Sequence, residues 1–255
     1  MPFAMYRFLR RPKWIEFTLV VIVLMVAMVN LGLWQLRRLD ERRSANHRVT
    51  DGNTAPVLDV STLPAGEHPG EWRRATLAGT WDGPGQVLIR NRSQDGQAGF
   101  YVVTPLVTGP DQAVLVARGF IPAASEHNPP APQSGTVTVL GRVRTSQSRG
   151  AFGPRDPPTG TLNVLSRVDV PRIQQQSPSR LAPYYVELIT EIPQPGGFAP
   201  EPIPLPVLDE GPHLSYAVQW FLFTACAAGG WVVVVRTSAQ RGGYWRKPSP
   251  PTRKT

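Results

Sequence analysis

The chain has 255 residues, a net charge of +9 and a single cysteine, Cys226. Counted by segment, the positive excess is three in residues 1–36, zero in residues 37–213, where 17 basic side chains meet 17 acidic ones, and six in residues 236–255. A neutral centre excludes a phosphate-binding surface and so a nucleic-acid partner, and one thiol excludes an intrachain disulfide or a thiolate metal cluster.

The mean hydropathy of −0.18 conceals two uncharged apolar runs. The first, residues 17–36 (FTLVVIVLMVAMVNLGLWQL), has the ~20 residues that a helix needs to cross a bilayer core. It is too long for the apolar part of a cleaved signal peptide. The sequence after it, RRLDERR, offers no small-residue cleavage site, so a retained anchor is expected. Next come stretches of alternating or β-branched residues at 74–81, 86–92, 100–107, 113–121, 136–145, 161–168 and 184–192. Asp82-Gly83-Pro84-Gly85, Asp95-Gly96 and Gly109-Pro110-Asp111 separate several of them. Such spacing predicts antiparallel hairpins in a barrel- or sandwich-like domain, with one short helix near 168–176 and no parallel βαβ unit. Proline-rich connections are expected at 122–134, 154–158 and 193–206. The second apolar run, residues 216–235 (YAVQWFLFTACAAGGWVVVV), is again one bilayer long and ends at Arg236. Residues 237–255 read as a disordered basic tail near anionic lipid.

Basic residues near the span ends set orientation. The two outer tails carry ten, whereas the loop begins with five (Arg37, Arg38, Arg42, Arg43, Arg48) and has none in its last 20 residues before Tyr216. Both termini are therefore expected in the cytoplasm of a multi-pass plasma-membrane protein. The layout is a cytoplasmic segment 1–14, transmembrane helix 15–36, extracytoplasmic β-rich domain 37–213, transmembrane helix 214–235 and basic cytoplasmic tail 236–255.

Nucleophile-elbow, zinc-protease, CxxC, phosphate-loop and dinucleotide signatures are missing from the sequence. His47, His68 and His127 are scattered, and the latter two sit in polar loops. His213 is different, because it stands just ahead of the second span. On a helix, positions 213, 217, 220, 224, 227 and 231 share a face that reads His, Ala, Trp, Thr, Ala, Trp. Neutral imidazole ligates haem iron, and Trp220 beside small residues would shape a slot for a flat macrocycle. The competing reading is a His–Trp anchor at the membrane surface, packed on the other helix. Asn30 and Gln219 lie inside the outer halves of the spans and are expected to bond each other or the backbone of the partner helix and so set the helix register, with a contact to a client membrane protein as the alternative. Arg90, Arg92 and Arg118 are candidates for carboxylates such as haem propionates, with salt bridges inside the domain as the commoner role.

Four blocks resemble one known family. NLGLWQLRRLDER (30–42) is similar to the G-x-W-Q-x-x-R motif closing the first span of the Surfeit-locus-one family of cytochrome c oxidase biogenesis proteins. NRSQDGQAGFYVVTPL (91–106), VLVARGFIP (114–122) and HLSYAVQWFLFTA (213–225) resemble three further blocks, in the same order. Ala117 and Phe120 depart from the Asn and Trp usual in the third block. The resemblance, to actinobacterial members in particular, implies a non-catalytic assembly factor for cytochrome c oxidase. It further implies a transient haem a, with His213 as the candidate iron ligand and Trp220 beside it. The implied partners are the oxidase subunits, chiefly subunit one, with the haem a synthesis machinery and membrane lipid. A cofactor-free scaffold for oxidase or other respiratory subunits is the alternative, and an anchored sensor or enzyme of unrelated function a third.

Overall fold

The structure is a computed structural model that describes residue 6 and residues 8–63, 67–150 and 153–241. It divides into two compact units, one of residues 1–45 with 208–255 and one of residues 46–207.

The first unit is helical. Helix α1 (Pro12–Thr54) runs for 43 residues. Pro12 opens it at a position where a missing N–H costs nothing. The apolar run supplies its first half. The charged stretch after Leu36 continues it because Arg, Leu and Glu are good helix formers, and Arg38 pairs with Glu41 one turn on. Pro56 forces the residue before it out of helical geometry and so ends the helix. The apolar content therefore stops at residue 36, but the helix does not. The second long helix, His213–Arg241, begins directly after Pro212 and extends beyond its apolar run. The first five residues of the expected 237–255 tail are helical, and the rest of it, 242–255, lies outside the described residues. Both helices are long and apolar enough to cross a membrane.

The second unit is built on strands β1 (Leu58–Asp59), β2 (Arg74–Trp81), β3 (Val87–Gln94), β4 (Gln97–Gly109), β5 (Gln112–Pro122), β6 (Thr136–Thr145), β7 (Val164–Leu165) and β8 (Arg180–Ile192). Helix α2 (Val170–Gln174) precedes β8; the long helix from His213 is α3. The strands form one sheet in the order β1-β2-β6-β8-β5-β4-β3-β7, and two residue pairs also join β2 to β4. The expectation of an antiparallel barrel or sandwich is corrected here. The sheet is mixed and not a barrel, with parallel pairs β1–β2, β3–β7 and β5–β8. The parallel β5–β8 pair arises because the chain leaves β5, makes β6, β7 and α2, and returns alongside it. Strand β5 is buried at nine consecutive positions, 113–121. Burial on both faces explains its near-continuous apolar run, broken only by Arg118 and Gly119, where alternation would mark a half-exposed strand.

Alternate residues of β5 and β8 enter two cores. Leu115, Ala117 and Tyr185 pack with Ile89, Leu165 and Ile173 on one face. Val114, Val116, Tyr184 and Val186 pack with Leu77, Leu106 and Val139 on the other. The proline-rich segment 193–206 is not free. The Phe120 N–H donates to the Glu201 carbonyl at 2.7 Å and the Glu201 N–H donates back at 2.8 Å. Gly119 makes this crossing possible. Its φ is +147°, and a Cβ there would collide with the Glu201 carbonyl oxygen.

Candidate functional site

In the helical unit, the sheltered positions of α1 include Trp14, Thr18, Val21, Met25, Met28, Gly32, Gln35 and Leu39, with Val29 beside Met28. Steps of four and three residues alternate, the spacing of helices that wrap left-handedly. On α3, His213, Ala217, Trp220, Thr224, Ala227 and Trp231 are all partly or fully sheltered, while Leu214, Val218, Leu222 and Val233 stand exposed. The two faces meet in antiparallel order. At one end the Trp231 indole N–H donates to the Thr18 hydroxyl at 3.3 Å. Farther along, Gly32 lies against the Phe221 ring so closely that a Cβ would come within 2.8 Å of it. At the other end, His213 Nδ1 is 2.8 Å from Gln35 Oε1.

The last contact determines what the imidazole can do. A carboxamide oxygen only accepts, so the proton of a neutral ring facing Oε1 sits on Nδ1. Nε2 then carries the lone pair, the state in which histidine binds a metal. Gly211 lies beside that edge. A Cβ on it would be 3.4 Å from Nε2, so the absent side chain keeps the approach to the nitrogen open. The segment leading into α3 is fastened by Arg43, whose Nε and Nη2 donate to the two carboxylate oxygens of Glu210, each at 2.9 Å. This pair is exposed. The hydrogen bond with Glu210 pushes the Arg43 guanidinium up from its ordinary range, and the same bond pulls the Glu210 carboxyl down.

Trp220 is half-buried and meets Phe223 edge-on at 6.0 Å. It stands two helical turns, about 10.5 Å, from His213 on the same face and does not touch it. Ala217, between the two, is buried. Among the described residues no group of three or more His, Cys, Asp or Glu side chains could hold a metal ion. The two span carboxamides do not bond each other. Asn30 Nδ2 donates to the Val26 carbonyl of its own helix at 2.8 Å, and Gln219 is exposed.

The three domain arginines are tied down. Arg90 bonds Ser166 and pairs with Asp156 at 3.3 Å. Arg92 donates to Gln147 and stacks over Tyr101. Arg118 is only 2% exposed, and burial pushes its guanidinium below the ordinary range, with Glu191 opposing. Its Nη1 donates to Gln86 and to the Pro130 carbonyl, and its Nη2 to Ala131, so it fastens the 122–134 loop. The sequence reading missed a second buried charge group. Arg144 Nη1 donates to Glu187 at 2.7 Å while its guanidinium covers Trp72 at 3.6 Å, and Arg142 donates to the Ile203 carbonyl at 2.6 Å. Burial pushes the Glu187 carboxyl up, and Arg144 and Arg142 pull it back. It also missed Gln35, Arg43 and Glu210. Gln35 had a signal, since it stands in the G-x-W-Q block, whereas Arg43 and Glu210 had none.

The family model described as the SURF1 family matches residues 22–225, which takes in Gln35, His213 and Trp220 as well as the whole sheet. The chain belongs to the SURF1 family. Uncharacterized SURF1-like proteins of Mycobacterium bovis and Mycobacterium tuberculosis are each 31% identical to it over 231 residues, covering 88% of this chain and 83% of theirs. A SURF1-like protein of Monosiga brevicollis is 28% identical over 90% of both chains. Surfeit locus protein 1 of Takifugu rubripes is 24% identical over 79% of this chain and 89% of its own. The SURF1 relationship therefore spans actinobacterial and animal proteins, and the actinobacterial character read from the sequence agrees with the mycobacterial relatives.

Proposed function

We propose that this SURF1-family chain is an integral membrane assembly factor for cytochrome c oxidase that holds haem a on His213 while subunit one matures. The observation supporting it is the 2.8 Å contact between Nδ1 of the half-buried His213 ring and Oε1 of Gln35 at the end of a helix pair, a geometry suited to the tautomer in which Nε2 is the ligand. Bound haem would supply an iron that one imidazole nitrogen could ligate. The chain's own residues do the rest. His213 offers Nε2, Gln35 holds the Nδ1 proton, Gly211 leaves the edge uncovered, and Trp220 presents an aromatic surface two turns away. Helices α1 and α3 cross the plasma membrane with both termini in the cytoplasm, the orientation that the basic tails favour. Single cysteines introduced at the Asp95–Gly96 and Gly109–Pro110 turns, in a Cys226→Ser background, are expected to react with an impermeant reagent in intact cells.

A cofactor-free scaffold remains the second reading, favoured by Gln219. An exposed carboxamide within a span is best satisfied by a polar group on another membrane protein. Complementation separates the two. In a host lacking the chain, oxidase in the membrane should carry less haem a, and the wild type should restore it. If His213→Ala restores it equally, the scaffold reading replaces the haem reading. Unchanged oxidase content without the chain would remove both.

A further inference from the structure

We propose that Gln35 is a positioning residue that selects the tautomer and orientation of His213. The inference rests on the haem reading for its purpose, but its geometry stands on the contact alone. Gln35 and His213 are 178 residues apart in sequence and meet at 2.8 Å across two helices. Both are half-sheltered on the faces that α1 and α3 turn to each other. Nδ1 is therefore engaged by a partner that is fixed on a different element and is not free to follow the ring.

The alternatives for the ring follow from donor inventory. With Oε1 towards the ring, Nδ1 is protonated and Nε2 is a ligand. With the amide N–H towards it, Nδ1 must accept, Nε2 takes the proton, and no ligand remains on the edge beside Gly211. With no partner, the ring would populate both tautomers and rotate. Gln35 thus decides whether the nitrogen facing Gly211 donates electrons or a proton. Metal-binding histidines commonly have their second nitrogen held by such a partner, whose loss weakens metal binding about 10–100-fold. The Trp231–Thr18 bond joins the same two helices at their far end, away from the ring, which makes it a control.

The test uses the full-length protein in detergent. Nitrogen NMR of the histidines, without haem, is expected to show His213 protonated on Nδ1 in the wild type and in Gln35→Glu, whose carboxylate also only accepts. Gln35→Leu should give a tautomer mixture. Titration with ferric protoporphyrin IX, followed by absorbance, should give a dissociation constant about 10–100-fold weaker for Gln35→Leu. Gln35→Glu should restore tight binding and Thr18→Val, at the far end of the helix pair, leave it unchanged. A wild-type His213 protonated on Nε2, or a tautomer unaffected by Gln35→Leu, overturns the positioning role. So does a Gln35→Leu loss that Thr18→Val reproduces, because that marks a generally loosened helix pair. If the wild type binds no porphyrin yet shows the expected tautomers, Gln35 positions the ring and the haem reading is what fails.

Discussion

Replacing Arg118 with Met tests whether this arginine is part of the domain's frame or a ligand contact. The side chain makes three hydrogen bonds, to Gln86 Oε1 at 3.1 Å, the Pro130 carbonyl at 2.9 Å and the Ala131 carbonyl at 3.3 Å, and lies 5.6 Å from the centre of the Trp81 ring. Met keeps most of the volume and removes every donor. Bonds from a charged group are worth about 1.5–3 kcal/mol each when one partner is deleted. Against that stands the cost of burying a guanidinium whose Nε has no partner. The net expectation is a loss of about 3 kcal/mol. For a domain of this size that lowers the melting midpoint by roughly 6–12 °C. Melting of the full chain in detergent, followed by tryptophan fluorescence, reads it, because Trp81 lies against the altered group. A loss under about 1 kcal/mol would refute the framing role. Reduced haem content in a variant with unchanged melting would instead mark Arg118 as a ligand contact.

Tyr185 is pushed up from 10.0 to about 12 by burial, and Tyr184 likewise. The native state keeps these protons at pH values where the unfolded chain releases them. Stability is thus intact below pH 10 and lost as pH rises towards 12, by roughly 2–3 kcal/mol for Tyr185. Alkaline titration at the tyrosinate band should show ionisation of these two rings coinciding with unfolding, and early, reversible ionisation with the fold retained would contradict it. Gly32→Leu should force the helices apart at Phe221, seen as lost cross-linking between cysteines placed at 18 and 231. Adding Phe221→Ala should recover it. Gly119→Val should release the 193–206 segment and destabilise the domain by more than about 2 kcal/mol, since it meets both backbone strain and the Glu201 carbonyl. A stability within 0.5 kcal/mol of wild type would mean that the crossing is not maintained in solution.

Local patterns located most elements because they report local physics. Strands β2 and β6 occupy the predicted 74–81 and 136–145, where alternation marks one buried face. The α3 stripe from His213 to Trp231 followed from helical geometry and is the side the protein shelters. Parallel pairing of β5 with β8 was not legible, because pairing partners are chosen by tertiary packing over some 70 residues of chain. The apolar run 113–117, without polar alternation, was the available hint. Strand β1, two residues long, has no period to detect. The end of α1 was hidden because hydropathy tracks lipid, whereas the helix continues on propensity and an Arg38–Glu41 pair. At the site, His213 stood out by position. Its partner Gln35 stood in the G-x-W-Q block, but nothing linked it to His213, since only the folded register brings a residue of the first helix opposite the start of the second.

The absorbance spectrum of the detergent-purified chain, coexpressed with the haem a synthesis enzymes, tests the central proposal most directly. The wild type should carry a haem a band near one haem per chain, and His213→Ala should lose that band while its domain melts at the wild-type temperature. An equally strong band in both proteins would remove His213 from the site, and a colourless wild type that still brings down oxidase subunits would leave the scaffold reading in its place.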